Sequence, residues 1–232
     1  MNLIEIITSM CEILGKYWQR FLIVGVGNTL LLALIAVIGG TILGTLAAIG
    51  RMSKSKILHA IVAVYVEIVR GTPALVQLTI GYLIVPNIIP AINDLSPTVM
   101  AFICVAVALI LNSAAYVSEI IRSGIEAVDK GQTEAARSLG LNSRTTMMQI
   151  VLPQAVKNIL PALGNEFITI IKETSLASTF FVGDLMTQYK EVVGVTFNAF
   201  PTLLVVTLIY FVINFVLSKA LKFYERRLKA HA

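Results

Sequence analysis

Long apolar runs separated by short polar segments are the main feature of the chain. Three runs contain no Asp, Glu, Lys or Arg, and each exceeds the roughly 20 residues that a helix needs to cross the hydrocarbon of a bilayer; they are residues 21–50, 95–118 and 192–218. Two more runs, residues 57–85 and 159–182, are long enough but contain ionisable side chains. The pattern therefore predicts an all-α membrane protein with five transmembrane helices.

The charges of the connecting segments predict the orientation of the chain. Arg51, Lys54 and Lys56 give the first connection a charge of +3, and residues 122–157 contain five basic against three acidic residues. The tail from Lys219 is also basic, whereas the other two connections are each −1. Because Lys and Arg accumulate on the cytoplasmic side, we predict an external N-terminus and a cytoplasmic C-terminus.

The overall composition agrees with this class of protein. The chain is 57% hydrophobic and its mean hydropathy is +0.85, which is too apolar for an ordinary soluble domain. The basic loops account for the net charge of +5 without a nucleic acid partner.

Residues 1–20 form an amphipathic segment before the first apolar run. Its apolar residues recur at helical spacing opposite charged side chains; they are Leu3, Ile7, Met10, Leu14 and Tyr17. This spacing fits a helix that lies in the interface on the outer side of the membrane and ends at Trp18. A helix packed on the rest of the protein fits equally well. Residues 21–232 then form one membrane domain.

The longest polar connection, residues 122–157, contains another helical pattern. Helix-favouring residues precede Gly140, which can end a helix in the left-handed conformation. Asn142 or Ser143 can then cap a second helix that runs toward Leu152. We predict a helix, a tight turn and a helix on the cytoplasmic side. Charge and periodicity alone fit a helix lying on the bilayer as well as a surface that binds a partner.

The spacing within this connection is specific. Glu134, Ala135 and Ala136 are followed by three residues, Gly140, nine residues and the sequence IVLP. This spacing resembles the EAA signature of permease subunits in binding-protein-dependent ABC importers. Three longer stretches resemble the polar amino acid branch of that family, which includes arginine, histidine and glutamine permeases: VEIVRGTPALVQL from residue 66, AAYVSEIIRSGIEAVDKGQTEAARSLG from residue 114 and LPQAVKNILPALGNEFITIIKETSLAS from residue 152.

The resemblance implies a multi-pass subunit of the bacterial cell membrane that does not itself hydrolyse ATP. It implies five spans with the N-terminus outside. Two permease chains, identical or related, would enclose the path, two ATP-binding-cassette ATPase subunits would bind ATP and Mg, and an extracellular binding protein would deliver the amino acid. The helix before Gly140 would be the coupling helix that docks on the ATPase, through Glu134, Ala135, Ala136, Arg137, Leu139 and Gly140.

Polar side chains gather on one face of the fourth predicted span. At roughly 100° per residue, five of them fall within an arc of roughly 120°; they are Asn165, Glu166, Thr169, Lys172 and Glu173. Because lipid penalises such groups, this face must border a cavity, a partner chain or another span. Carboxylates beside an ammonium group suit an amino acid, which carries both charges. We predict that Glu166 and Thr169 contact the substrate.

The third predicted span has a similar polar face, made by Asn112, Tyr116 and Glu119, which are further candidates for substrate contact. The alternative is that these groups form internal ion pairs, such as Lys172 with Glu173 or Glu119. Counting Glu119, which directly follows the third span, the ionisable residues of the spans are four acidic and two basic. This balance favours a cationic substrate such as arginine, lysine or histidine.

The second predicted span contains a helix-breaking sequence. Glu67 and Arg70 lie one helical turn apart, directly before Gly71 and Pro73. Proline lacks an amide hydrogen, so we predict that the helix kinks or unwinds here. Glu67 and Arg70 are predicted to form a structural ion pair.

The chain carries no motif for catalysis or for a cofactor of its own. The phosphate-binding pattern GxxxxGK[ST], a Rossmann glycine run and a His/Cys metal cluster are all absent from the sequence. We therefore expect no catalytic residue, no metal and no bound cofactor. Two other functions remain open: an ion-coupled secondary transporter or channel with Glu119, Glu166 and Lys172 as a relay, and a scaffold that binds a partner through residues 122–157.

Overall fold

Every regular element in the described part of the chain is helical, which confirms the predicted all-α class. The computed structural model describes the backbone of residues 2–230 and the side chains of residues 2–227. The helices are α1 (Leu3–Trp18), α2 (Val26–Arg51), α3 (Lys56–Arg70), α4 (Ala74–Ile88), α5 (Pro97–Glu126), α6 (Lys130–Ser138), α7 (Ser143–Thr145), α8 (Leu152–Glu173), α9 (Leu185–Thr196) and α10 (Ala199–Ala230). Shorter 3-10 or π-helical segments are Gln19–Gly25, Pro90–Asp94, Thr146–Val151 and Thr174–Phe180.

The N-terminal segment continues directly into the first predicted span. The π-helical segment Gln19–Gly25 joins α1 to α2, and Leu3–Arg51 is one helix of 49 residues. The α-helical element α1 ends at Trp18 as predicted, but the chain continues into α2 without a break. Ile13 is buried in a core cluster with Val205 and Val206 of α10. Helix α1 therefore packs on the rest of the protein, which was one of the two predicted alternatives.

The break between α3 and α4 confirms the predicted kink. The helix axis bends by 111° between α3 and α4, around residues 71–73. Pro73 precedes α4 and has no amide hydrogen to continue the helical ladder. The Gln77 side chain donates hydrogen bonds to the carbonyl oxygens of Val69, at 2.7 Å, and Thr72, at 3.1 Å. It therefore satisfies carbonyl groups that the break leaves free.

Small residues let α2 approach α5 closely at the centre of the bundle. A Cβ added to Gly40 would lie 2.5 Å from Ser113 Oγ, and one added to Gly44 would lie 2.7 Å from the Ala114 carbonyl oxygen. Such contacts are typical of membrane helices, whose association depends on close packing of small residues. The close approach leaves α5 in the middle of the bundle, where it also packs against α3, α4 and α8.

The described chain has three helices long and apolar enough to cross a membrane. They are Leu3–Arg51, Pro97–Glu126 and Ala199–Arg227, and the bent pair α3 and α4 adds a fourth if its halves form one span. Large apolar side chains on these helices face outward, such as Leu46 and Phe211, each 61% exposed. An apolar exterior of this kind suits a lipid environment.

The predicted start of the fifth span, at residue 192, is wrong. Residues 192–196 belong to α9, and Phe197 follows in the left-handed conformation with φ 56°. That conformation ends a helix, so α10 begins only at Ala199.

Residues 130–152 form the predicted helix, turn and helix. The Asp129 side chain caps α6 by accepting a hydrogen bond from the Gly131 amide at 2.9 Å, so the first helix begins four residues before Glu134. Gly140 follows α6 with φ 84°, as predicted. The Asn142 side chain accepts a hydrogen bond from the Thr145 amide at 2.9 Å and caps the second helical segment.

Candidate substrate path and coupling surface

A buried polar patch lies where α8 packs against α5. Glu166 is 8% exposed, and the Ser113 hydroxyl lies beside its carboxylate without reaching hydrogen-bond geometry. The Asn112 amide donates a hydrogen bond to Gln77 Oε1 of α4 at 2.9 Å. Asn112 Oδ1 and Ser113 Oγ are buried without a hydrogen-bond partner among the described residues. Because buried polar atoms are nearly always satisfied, these atoms offer hydrogen bonds to a ligand or to water.

The five polar residues predicted to share one face of α8 lie on one continuous helix but differ in their surroundings. Glu166 and Glu173 lie two turns apart, and Glu173 Oε2 is buried without a hydrogen-bond partner among the described residues. Thr169 is half-buried between them. Asn165 is exposed and donates a hydrogen bond back to its own helix. Lys172 is exposed and borders a different groove, of about 270 Å³, against α10.

Glu119 lies in a group of arginines. Its carboxylate is 2.9 Å from Arg51 Nη1 and 3.8 Å from Arg70 Nη1, and it makes a shorter contact with Arg122. The Arg70 guanidinium also lies 5.8 Å from the centre of the Tyr116 ring. Glu119 therefore joins the ends of α2 and α3 to α5, and its predicted contact with substrate stays a prediction.

The ion pairs predicted from the sequence are not formed among the described residues. Glu67 is exposed and makes no ion pair there, because Arg70 turns toward Glu119. Lys172 pairs with neither Glu173 nor Glu119 in that part of the chain. The network around Glu119 takes the place of both predictions.

Several residues of these sites were missed from the sequence. The role of Gln77 could have been predicted, since a side-chain amide one turn after a proline break is placed to satisfy free carbonyl groups. That of Arg122 could have been predicted as well, because it follows Glu119 at a spacing of three. Arg51 is 68 residues from Glu119, and helical spacing within α5 carries no information about it. Ser113 was hidden because serine is common in membrane helices.

Asp184 is a buried carboxylate between the fourth and fifth predicted spans. It accepts hydrogen bonds from the amides of Met186, at 2.9 Å, and Thr187, at 3.3 Å, and from the Thr187 hydroxyl in a shorter contact. Burial raises the pKa of the Asp184 carboxyl, and these hydrogen bonds oppose the rise. Asp184 therefore caps α9 and fixes the turn that precedes it.

Helix α6 presents an exposed surface and is anchored by one buried side chain. Ala136 is 5% exposed and lies on the side of α6 that packs against the π-helical segment Thr146–Val151. Leu139 at the end of the helix is 84% exposed. The remaining predicted coupling residues are exposed as well; they are Glu134, Ala135, Arg137 and Gly140. The exposed side chain of Leu139 is accessible to a partner.

Comparisons with known proteins agree with this architecture. Residues 40–230 match the family model described as "Binding-protein-dependent transport system inner membrane component". A putative glutamine transport system permease protein of Rickettsia bellii is 40% identical over 221 residues, which cover 94% of this chain and 99% of the relative. An arginine transport system permease protein of Bacillus subtilis is 39% identical over 211 residues, which cover 91% of this chain and 94% of the relative.

A solved structure titled "Crystal structure of an amino acid ABC transporter with histidines" is similar over 92% of this chain and 96% of that one, with 42% identity and a TM-score of 0.83. The relatives span nearly the whole chain, and their names agree with the resemblance carried by residues 134–153. The chain therefore belongs to the inner membrane components of binding-protein-dependent transport systems, as a multi-pass permease subunit of an amino acid ABC importer.

Proposed function

We propose that this chain and a second permease chain, identical or related, enclose the path of an ATP-driven importer for polar amino acids. Two separate ATPase subunits bind ATP and Mg, and an extracellular binding protein delivers the amino acid. Closure of the ATPase subunits moves α6 and opens the path to the outside, and hydrolysis resets it, so that two distant equilibria are coupled. Relatives named as glutamine and arginine permeases support this substrate class.

The coupling role of α6 rests chiefly on the exposure of Leu139. This side chain is 84% exposed, and burying a leucine side chain fully contributes about 1.5–3 kcal/mol. A hydrophobic groove on an ATPase subunit would bury it. Ala136 holds the helix against residues 146–151, which lead directly into α8. A displacement of α6 would therefore reach the helix that carries Glu166.

Leu139→Asp tests this coupling role. The substitution places a charge on the proposed docking surface without touching the protein core. An interface hot spot contributes about 2 kcal/mol or more, so its loss reduces binding by about thirty-fold or more. We expect loss of the co-purifying ATPase subunits and of ATP-dependent uptake in proteoliposomes, with normal membrane insertion.

Gln132→Asp is the matched control, because Gln132 is exposed in the first turn of the same helix. A carboxylate is favourable at that end of a helix, so uptake should remain close to wild type. Normal ATP-dependent uptake by Leu139→Asp would refute the coupling role. Uptake driven by an ion gradient without any ATPase subunit would refute the proposed importer altogether.

The proposed substrate contact is Glu166, with Thr169 and Asn112 nearby in the same part of the bundle. A buried carboxylate needs a cation or several hydrogen-bond donors, and no described arginine or lysine forms an ion pair with Glu166. A cationic amino acid would supply that charge as it passes. We therefore propose that the path favours cationic over neutral amino acids.

A further inference from the structure

An apolar cavity lies away from the Glu166 patch, at the end of the bundle that carries α6. Its volume is about 590 Å³, which is within the range of roughly 300–1,000 Å³ common for ligand sites. Side chains of α2, α5 and the segment before α8 form its wall, including Ala48, Ile49, Met52, Ile121, Ile125 and Met148. The lining includes only two polar side chains, Thr45 and Ser53.

The cavity opens toward the exterior of the protein. Ile49 is 63% exposed, Met148 57% and Met52 45%, so the walls are not covered by other parts of the described chain. A cavity holds water only when several polar groups are available to bind it, and this one offers few. Hydrocarbon is the better occupant, and the flexible methionine side chains can adapt to its shape.

Two lysines without ionic partners lie next to this opening. Lys54 follows Ser53 directly, Lys56 begins α3, and both are exposed. Neither forms an ion pair among the described residues, whereas Arg51 at the end of α2 is paired with Glu119. The positive end of the α3 dipole lies at Lys56. The loop therefore offers a site for an anionic headgroup beside an apolar cavity.

We infer that this cavity binds an acyl chain of an anionic phospholipid, with the lipid phosphate against Lys54 and Lys56. Charge complementarity selects the headgroup, because basic residues at a membrane surface attract anionic lipids. The cavity supplies the apolar contacts that hold the chain. Met147 and Met148 line it and belong to the segment on which α6 packs. The bound lipid therefore contacts the support of α6.

Native mass spectrometry tests the assignment. The full-length chain, with the subunits that co-purify with it, is delipidated and mixed with equal amounts of phosphatidylglycerol and phosphatidylcholine that carry the same acyl chains. We expect wild type to retain one phosphatidylglycerol in clear preference. The double variant Lys54→Gln/Lys56→Gln should lower that preference by about thirty-fold, because each lysine contributes independently. The control Lys219→Gln/Lys222→Gln, on exposed lysines of α10, should leave it unchanged.

Met148→Trp tests the cavity itself. Met148 is 57% exposed, so a larger side chain should fill the opening without unfolding the protein, and thermal unfolding checks this. Retention of both lipids should fall. Equal retention of the two lipids by wild type, an equal loss in the Lys219→Gln/Lys222→Gln control, or full retention by Met148→Trp would each overturn the proposal. The measurement involves no transport, so its outcome is independent of the proposed importer.

Discussion

Replacing Gly44 by alanine should push α5 away from α2. The new Cβ would lie 2.7 Å from the Ala114 carbonyl oxygen and 2.8 Å from Val117 Cβ. Ordinary contact begins at 3.4 Å, so the helices must separate by about 0.7 Å. The obstructing atoms are a backbone carbonyl oxygen and the Cβ atom of a β-branched side chain. A change of rotamer moves neither of them. Overpacking of this kind costs about 1–3 kcal/mol.

Gly27→Ala is the matched control for this prediction. Gly27 lies on the same helix, and a Cβ added there meets nothing within 4 Å. Both substitutions gain about 1 kcal/mol of helix propensity, so the difference between the two variants isolates the clash. For a chain of this size, each kcal/mol lowers the midpoint of thermal unfolding by about 2–4 °C. We expect Gly44→Ala to unfold below Gly27→Ala by about 2–12 °C in detergent.

Function should change along with stability. Ala114 follows Ser113 and Asn112, so a displaced α5 carries the polar patch away from Glu166. Uptake by Gly44→Ala should show a raised KM, while Gly27→Ala keeps the wild-type value. Equal unfolding temperatures for the two variants would show that α2 and α5 do not meet as closely as the structure indicates, and would refute the reasoning.

Three further substitutions test other parts of the structure. Glu166→Gln should reduce uptake of cationic amino acids by about ten-fold or more, because it removes a charged partner, and an equal loss for neutral amino acids would contradict the cationic preference. Asp184→Ala should destabilise the protein by about 1–2 kcal/mol through loss of the helix cap, and Asp184→Asn, which keeps an acceptor, should unfold at nearly the wild-type temperature. Gly140→Ala should lower the free energy of unfolding by about 1–2 kcal/mol through its left-handed backbone alone, since nothing lies within 4 Å of the new Cβ. The control Gly194→Ala is equally open but has an ordinary φ. It should show no such loss in the same thermal unfolding assay.

Local features of the chain were predictable from the sequence because their causes are local. Pro73 removes an amide hydrogen wherever it stands, so the break between α3 and α4 follows from the sequence, although its angle of 111° does not. The left-handed Gly140 and the Asn142 cap were predictable for the same reason. The location of α1 was not, because an amphipathic stripe fits an interface and a packed helix equally well. Contact with α10 decided the matter.

The candidate site was predictable only in part because a helical wheel shows faces and does not show neighbours. The wheel placed Asn165, Glu166 and Lys172 on one arc, but α8 meets several helices, and only Glu166 of these three faces α5. Glu119 shows the same limit. Its ion-pair partners include Arg51, 68 residues away, so sequence analysis did not reveal that this carboxylate joins three helices. Its contact with substrate stays a prediction.

Helix α5 connects the polar patch to the proposed coupling surface without a flexible linker. Ser113 and Glu126 lie on the same continuous helix, about 20 Å apart at 1.5 Å per residue, and only residues 127–129 separate that helix from α6. Between these points, Glu119 ties α5 to α2 through Arg51 and to α3 through Arg70. If α6 is the docking segment, as we propose, its displacement would move α5 together with the ends of α2 and α3. The same displacement would change the distance between Ser113 and Glu166, which lie on opposite sides of the α5 and α8 contact. The network around Glu119 would thus convert a movement of α6 into a change at the proposed path.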